Sequence, residues 1–321
     1  MTERERLAML ARVLGQVTPA RGASDVVRLG IGDDAAVLRA STDGLVLSVD
    51  SVVEHVHFRR SWLTFAALGY KATMGALSDL AAMGAAPLGV LSSLILPADV
   101  DDEALEALAR GQAETCAEVG TSVIGGNLAR GAELSITTTV VGDAPRPLRR
   151  DGARPGDVVV VAGALGMAAA GLRALMAGRR DVPVFEEAVS AWQRPRARIE
   201  EGIRLAKTAT AAIDVSDGLA LDLTRMAEAS GCKVVLSEAA LRSAAVARVA
   251  AALGADPLEL VLSGGEDYAL VATLPKDAER LGLTRIGRCE AGGGVEIEGA
   301  SGERTAVQPA GWDHFALSDR G

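Results

Sequence analysis

The residues in this chain that can do chemistry are mostly aspartates, and they stand beside strand-like segments rich in small residues. Asp33 and Asp34 sit in Gly30-Ile-Gly-Asp-Asp-Ala-Ala36. Asp50 closes Leu-Ser-Val-Asp, and Asp79 lies in Leu-Ser-Asp-Leu-Ala-Ala-Met-Gly-Ala. Asp214 and Asp217 share Ala-Ile-Asp-Val-Ser-Asp-Gly-Leu. Carboxylate oxygens without histidine or cysteine company are the donors that Mg2+ selects. Gathered together they would repel unless divalent cations lay between them, and small neighbours let phosphate oxygens reach the same ions. Each acid alone has a plainer reading: turn acids at 33 and 34, a helix acid paired with Lys71 at 79, a helix N-cap at 217. Their recurrence at element ends favours a shared metal site. Glu266 and Asp267 form another acidic pair, placed after Gly264-Gly265 and before an apolar strand. A turn explains those glycines better than it explains the acids.

Rival chemistries have little material. Only three histidines exist, and His55 and His57 share one segment, which leaves little for a triad or a zinc hydrolase. Three cysteines (Cys116, Cys232, Cys289) without a C-x-x-C pair argue against a disulfide framework and point to a reducing cytoplasm. The G-x-x-x-x-G-K-[ST], G-x-G-x-x-G, G-x-S-x-G and H-E-x-x-H signatures are missing. The stretch Ser122–Asn127, with Arg130 and Gly131, reads either as an anion-accepting turn of exposed N–H groups or as an ordinary tight turn before a strand at Leu134.

The elements that must position these residues follow from composition and period. Apolar residues make up 49% and aromatics 3%, so the cores are built from Ala, Val, Leu and Ile. A net charge of −9 argues against nucleic acid or an anionic membrane as partner. The charged, helical start lacks the apolar core of a signal peptide. The uncharged run from Leu80 to Ala98 reads as a helix end, a turn and a buried strand rather than a membrane span. Strands are predicted at Leu45–Val49, Gly89–Leu94, Leu134–Val141, Val158–Ala162, Ala211–Ile213, Val234–Leu236, Tyr268–Thr273 and Val295–Ile297. Helices are predicted at Thr64–Met83, Asp102–Val119, Met167–Ala177, Arg196–Thr208, Leu219–Ser230 and Ala240–Leu253. This alternation predicts an α/β or α+β fold. The Pro- and Arg-rich stretch Asp143–Asp157 has linker composition and divides the chain into domains 1–145 and 146–321.

Taken in order, GIGDDAAVL, the strand ending in Asp50 with His57-Phe58 beyond it, YKATMGALSDLAAMGA, IGGN, DGARPGD, IDVSDGL, SGGEDY and GWDHF resemble the thiamine-monophosphate kinase family. That family is part of the aminoimidazole ribonucleotide synthetase and selenophosphate synthetase superfamily, and the resemblance runs from about Leu29 to Phe315. It implies two α/β domains, a homodimer paired through the N-terminal sheet, and ATP bound without a Walker motif. The implied reaction moves the γ-phosphoryl of ATP to thiamine monophosphate. By match to the family pattern, Asp33, Asp50, Asp79, Asp214 and Asp217 would hold Mg2+, with Asp34 in support. Gly126, Asn127, Arg150 and Ser216 would contact ATP, and His57, Glu266 and Trp312 would line the thiamine pocket. Asp33, Asp79, Asp214 and Arg150 would carry the catalytic role.

The chain departs from the pattern in four places. Val49 replaces a threonine before the strand-end aspartate, with Ser48 as the available hydroxyl ligand. Ala76 replaces an asparagine. Asn127 replaces an aspartate, still offering an oxygen to metal. Gly163–Ala168 lacks the Asp and Ser found after the corresponding strand. Two other readings keep the fold: a sister ATP-dependent synthetase with a different acceptor, and a non-catalytic thiamine-phosphate-binding paralogue. The absence of cysteine before Cys116 argues against a selenophosphate synthetase.

Overall fold

Residues 45–49, the first part of the strand Leu45–Val53, alternate between exposed and half-buried, the mark of a strand with one face against a core. Around it the first half of the chain forms a four-stranded sheet in the order Leu45–Val53, Ser135–Asp143, Ala86–Leu96, Val123–Arg130. The computed structural model describes residues 3–15, 26–29, 37–39, 44–278 and 282–312. Within them, the first unit comprises α1 (Glu3–Leu14), β1 (Val27–Leu29), β2 (Val37–Leu38), β3 (Leu45–Val53), α2 (Phe65–Ala82), β4 (Ala86–Leu96), α3 (Asp102–Val119), β5 (Val123–Arg130) and β6 (Ser135–Asp143). β6 runs antiparallel to both β3 and β4, while β4 and β5 are parallel and joined through α3. Thr64 and Asp101 cap α2 and α3 by accepting from the Ala67 and Ala104 amides. Glycines let these helices approach closely: a Cβ on Gly69 would stand 2.1 Å from the Leu108 carbonyl oxygen, and one on Gly111 1.9 Å from that of Ala66.

The run from Leu80 to Ala98 is, as expected, a helix end, a turn and a strand. Among the described residues no helix is long and apolar enough to cross a membrane. Ser122–Asn127 is a correction, because both turn readings fail there. Val123–Arg130 is a strand, held parallel against β4 from Val90↔Val123 to Leu96↔Arg130. Its glycines serve close strand approach rather than a turn, since a Cβ on Gly126 would meet the Ser92 carbonyl oxygen at 1.9 Å.

The second unit holds a seven-stranded sheet in the order Arg304–Ala306, Gly294–Glu298, Lys233–Ser237, Thr284–Glu290, Val158–Ala162, Leu270–Leu274, Ala211–Asp214. In chain order its first elements are β7 (Val158–Ala162), α4 (Met167–Met176) and α5 (Glu186–Gln193). After α6 (Ile199–Leu205) come β8 (Ala211–Asp214), α7 (Leu219–Ser230), β9 (Lys233–Ser237), α8 (Glu238–Leu241), α9 (Ala244–Leu253) and α10 (Pro257–Ser263). The unit ends with β10 (Leu270–Leu274), β11 (Thr284–Glu290), β12 (Gly294–Glu298) and β13 (Arg304–Ala306). β7, β8 and β10 are buried along their whole length, which explains their unbroken apolar runs. The helix predicted over 240–253 is two helices, because the backbone is extended at Arg242 and Ser243.

The first unit is Met1–Pro147 together with Ile199–Ala206, and the second is Leu148–Arg198 with Lys207–Gly321. The returning helix α6 belongs with α2 because Gly202 packs on its end. A Cβ there would lie 2.1 Å from the Ala81 carbonyl oxygen.

Candidate active site

In the first unit, strand alternation puts Ser48 and Asp50 on one face of β3 and Leu47 and Val49 on the other. The Ser48 hydroxyl donates to the Asp79 carboxylate, which places these two side chains from β3 and α2 in contact. Asp79 is half-buried, while Asp50 is exposed two residues along from Ser48. A polar row continues across the sheet. Asp50 is opposite Thr138, Thr138 is opposite Ser92, and Gln112 of α3 donates to Ser92 Oγ at 2.8 Å. Gly126 and Asn127 follow on β5 beside Ser92 and Ser93, and both are exposed. Val49 belongs to the opposite face, so Ser48 does not replace a hydroxyl at that position side for side.

His57 lies in the turn after β3, where its Nδ1 accepts from the Val53 amide at 3.1 Å. That bond puts the ring proton of the neutral form on Nε2 and leaves this nitrogen as a donor. Asp33 and Asp34 lie outside the described residues.

In the second unit, Asp214 ends β8 and is buried at 8% exposure. The chain then turns through Val215-Ser216-Asp217-Gly218 into α7. The segment Glu266–Tyr268 crosses this turn: the Glu266 amide donates to the Ser216 carbonyl at 2.8 Å and the Tyr268 amide to that of Val215 at 2.9 Å. Glu266 and Tyr268 both take positive φ, 63° and 46°, a strained conformation for side-chain-bearing residues. Trp192 Nε1 donates to Glu266 Oε2 at 2.5 Å, which fixes the carboxylate. The Trp312 amide donates to the Asp217 carbonyl at 2.9 Å, so the partly exposed indole is tethered to the same turn. Arg150 is exposed, and its carbonyl accepts from Ser230 Oγ at 2.8 Å.

Asp217 is not the N-cap of α7. That position is Gly218, whose φ of 137° favours glycine, and where a Cβ would stand 3.1 Å from the Ser263 carbonyl oxygen. The Asp217 carboxylate instead receives Arg225 Nη1 at 2.6 Å. The same nitrogen donates to Asp222 Oδ1 at 2.8 Å. Asp222 Oδ2 in turn accepts from the Ser216, Asp217 and Gly218 amides at 3.2, 3.1 and 3.1 Å. Burial pushes the Asp222 carboxyl up, and the Gly218 amide pulls it back; Asp217 raises it further while Arg225 lowers it. Burial works against the Arg225 charge, yet its bonds to Asp217 and Asp222 hold it above its usual value.

Asp222, Arg225, Trp192 and Asp267 thus hold the segments that carry the candidate residues, and the sequence reading gives the first three no role. Asp267 accepts from the Gly166 and Ala168 amides at 2.6 and 3.1 Å, capping α4 from far along the chain. It supplies a carboxylate to the loop in which Gly163–Ala168 itself has none. The available signal for Asp222 was an acid in the first turn of a helix, which the macrodipole favours. Nothing local marks Trp192.

By donor type the predicted ligands fit a divalent cation, since all are oxygens and the two regions carry hydroxyl and carboxylate groups together. Among the described residues, no three His, Cys, Asp or Glu side chains form a group that could hold a metal ion. In the first unit the Ser48 hydroxyl bonds Asp79, and in the second Arg225 bridges Asp217 and Asp222.

Residues 32–144 match the family model for the AIR synthase related protein N-terminal domain, and residues 154–298 match that for its C-terminal domain. The class is therefore that of two-domain AIR synthase related proteins. The chain is 38% identical to a thiamine-monophosphate kinase of Aquifex aeolicus (strain VF5), over 89% of this chain and 92% of the relative. It is also 38% identical to one of Escherichia coli (strain K12), over 90% and 93%. A solved structure described as "AaThiL complexed with AMPPCP and TMP" matches with a TM-score of 0.80 and 34% identity, covering 98% of this chain and 97% of that one. The hydrogenase maturation protein HypE shares the fold, with a TM-score of 0.74 at 20% identity, and the likeness concerns fold alone. The chain belongs to the thiamine-monophosphate kinase family.

Proposed function

We propose that the chain transfers the γ-phosphoryl group of ATP to the phosphate of thiamine monophosphate and releases thiamine diphosphate. The observation that supports this most is the match, along 98% of the chain, to a kinase-family structure described as complexed with AMPPCP and TMP. The acceptor is a phosphate monoester, already anionic near neutral pH. No general base is needed, and positioning with charge neutralisation carries the rate.

In this reading Asp33, Asp34, Ser48, Asp50, Asp79, Asn127, Asp214 and Asp217 are the residues that would hold Mg2+. Bound there, the ion would neutralise phosphate charge as it builds during transfer. Arg150 would add positive charge at the transferring group, and Gly126, Asn127 and Ser216 would orient the nucleotide. His57 would donate from Nε2 to the substrate. Glu266, held by Trp192, and the face of Trp312 would meet the cationic thiazolium ring.

A homodimer through the first unit's sheet completes the proposal. Leu45, Leu47 and Val49 line one face of β3 at 52%, 60% and 60% exposure, more apolar surface than a strand usually leaves to water. A cytoplasmic setting is also part of it, in keeping with three free, buried cysteines.

The test is turnover. Purified protein with ATP, MgCl2 and thiamine monophosphate should yield thiamine diphosphate, resolved by chromatography. Folded protein that binds thiamine monophosphate without product would support the non-catalytic reading instead. Sedimentation velocity should report a dimer, and a monomer at micromolar concentration would remove the pairing.

A further inference from the structure

We propose that Asp222 and Arg225 are a positioning pair that pre-sets the Ser216-Asp217-Gly218 turn and the Asp217 carboxylate for phosphoryl transfer. This rests on the kinase reading given above. Their side chains bond the turn and each other, so the proposed effect on the reaction passes through the turn.

The direction of the contacts is unusual for a cap. In ordinary N-capping the side chain precedes the helix and reaches forward to its first amides. Here the acid sits inside α7 and reaches back to three consecutive amides that come before the helix, all onto one oxygen. Three successive N–H groups aimed at one point form an anion-binding concavity. Asp222, at 1% exposure, fills it from the buried side and holds the turn in one shape.

A carboxylate this deep needs a compensating charge, and Arg225 supplies it through Asp222 Oδ1. The same Arg225 nitrogen reaches Asp217 Oδ2, so one guanidinium ties the buried acid to the half-buried Asp217. The Asp217 carbonyl carries the Trp312 amide, and the Ser216 carbonyl carries that of Glu266. The backbone positions of a proposed nucleotide contact, a proposed metal ligand and two proposed substrate contacts therefore all depend on one turn. Loosening it should displace several reacting groups together, and a misplacement of about 1 Å costs roughly 10²-fold in rate.

The experiment compares wild type with Arg225→Met, Arg225→Lys and Asp222→Asn. Arg225 is partly exposed, so its variants should fold even if a change at Asp222 does not. Hydrogen exchange of the Ser216, Asp217 and Gly218 amides is measured on the ligand-free protein, and kcat and KM for thiamine monophosphate on the loaded one. Arg225→Met should speed exchange at these amides and lower kcat by about 10–100-fold, with KM changed by less than about threefold. Arg225→Lys should restore part of both losses. A folded Arg225→Met protein with kcat within about twofold of wild type overturns the proposal, as does unchanged exchange at the three amides. If wild type itself makes no thiamine diphosphate, the kinase reading falls, and the exchange rates alone decide whether the pair holds the turn.

Discussion

Two regions of the molecule carry the candidate metal ligands, and they hold them by different means. In the first unit Ser48 and Asp50 are placed by the two-residue period of β3, and Asp79 by a helix in which nearly every other residue is buried. The backbone there is satisfied within ladder and helix, so the side chains follow from regular geometry. In the second unit Asp214 ends a strand, whereas Asp50 is interior to β3 and not, as expected, at its end; Ser216, Asp217, Glu266 and Trp312 stand on irregular backbone. That backbone includes two non-glycine residues at positive φ, and single side chains from distant segments hold it: Trp192 on Glu266, Asp267 on the start of α4, and Asp222 under the turn. Regular elements distribute the load over many equivalent contacts, so their weak point is close packing. An irregular site concentrates it, so its weak points are individual polar side chains.

The largest expected effect tests whether both regions serve one reaction. Asp79→Asn and Asp214→Asn should each lower kcat by about 10³-fold with little change in melting temperature. A large loss in one and none in the other would break the pairing of the regions. Next, Gly111→Ala should destabilise the first unit by about 1–3 kcal/mol, because its Cβ would stand 1.9 Å from the Ala66 carbonyl oxygen. Thermal or denaturant unfolding reads this. A neutral result would mean that α2 and α3 can separate at no cost.

A smaller loss, about 0.5–2 kcal/mol, is expected from Asp267→Ala, which leaves the Gly166 and Ala168 amides at the start of α4 without their acceptor. If it equals or exceeds the Gly111 effect, the irregular region is the more fragile in stability as well as in function.

The smallest effect concerns charge. The Arg288 hydrogen bond, then that of Arg304, holds the half-buried Glu298 carboxyl down at about 2, against 4.5 unperturbed. Burial drives Asp222 the opposite way. For Glu298 the folded value lies below the unfolded one, so its contribution is present above about pH 4.5 and lost as pH falls toward 2. Glu298→Gln should flatten the fall in melting temperature across that window. An unchanged pH profile would show the pairing to be screened out by solvent.

The regular region was largely legible in the sequence. The helix at Asp102–Val119 has the predicted bounds, and β3 and α2 differ from prediction only at their ends. Two buried strands, β7 and β8, were readable as apolar runs. β5 was missed because its small residues, Gly125, Gly126 and Ala129, are turn formers by composition and become a strand only against β4. β11 and β13 escaped for a related reason, carrying charges that pair across the sheet, such as Arg288 and Arg304 with Glu298. The return of α6 to the first unit left no local mark.

What the sequence by itself determined is the inventory and its order: oxygen donors in motifs, few competing nucleophiles, two α/β halves, and motifs that name the family. Those depend on residue type and short-range period, which the chain carries in linear form. What only the tertiary structure decided is how the donors are held. Ser48 reaches Asp79 from 31 residues away, Trp192 reaches Glu266 from 74, and one buried carboxylate gathers three amides. Such contacts arise from close packing between segments, and no residue's own neighbours in sequence announce them.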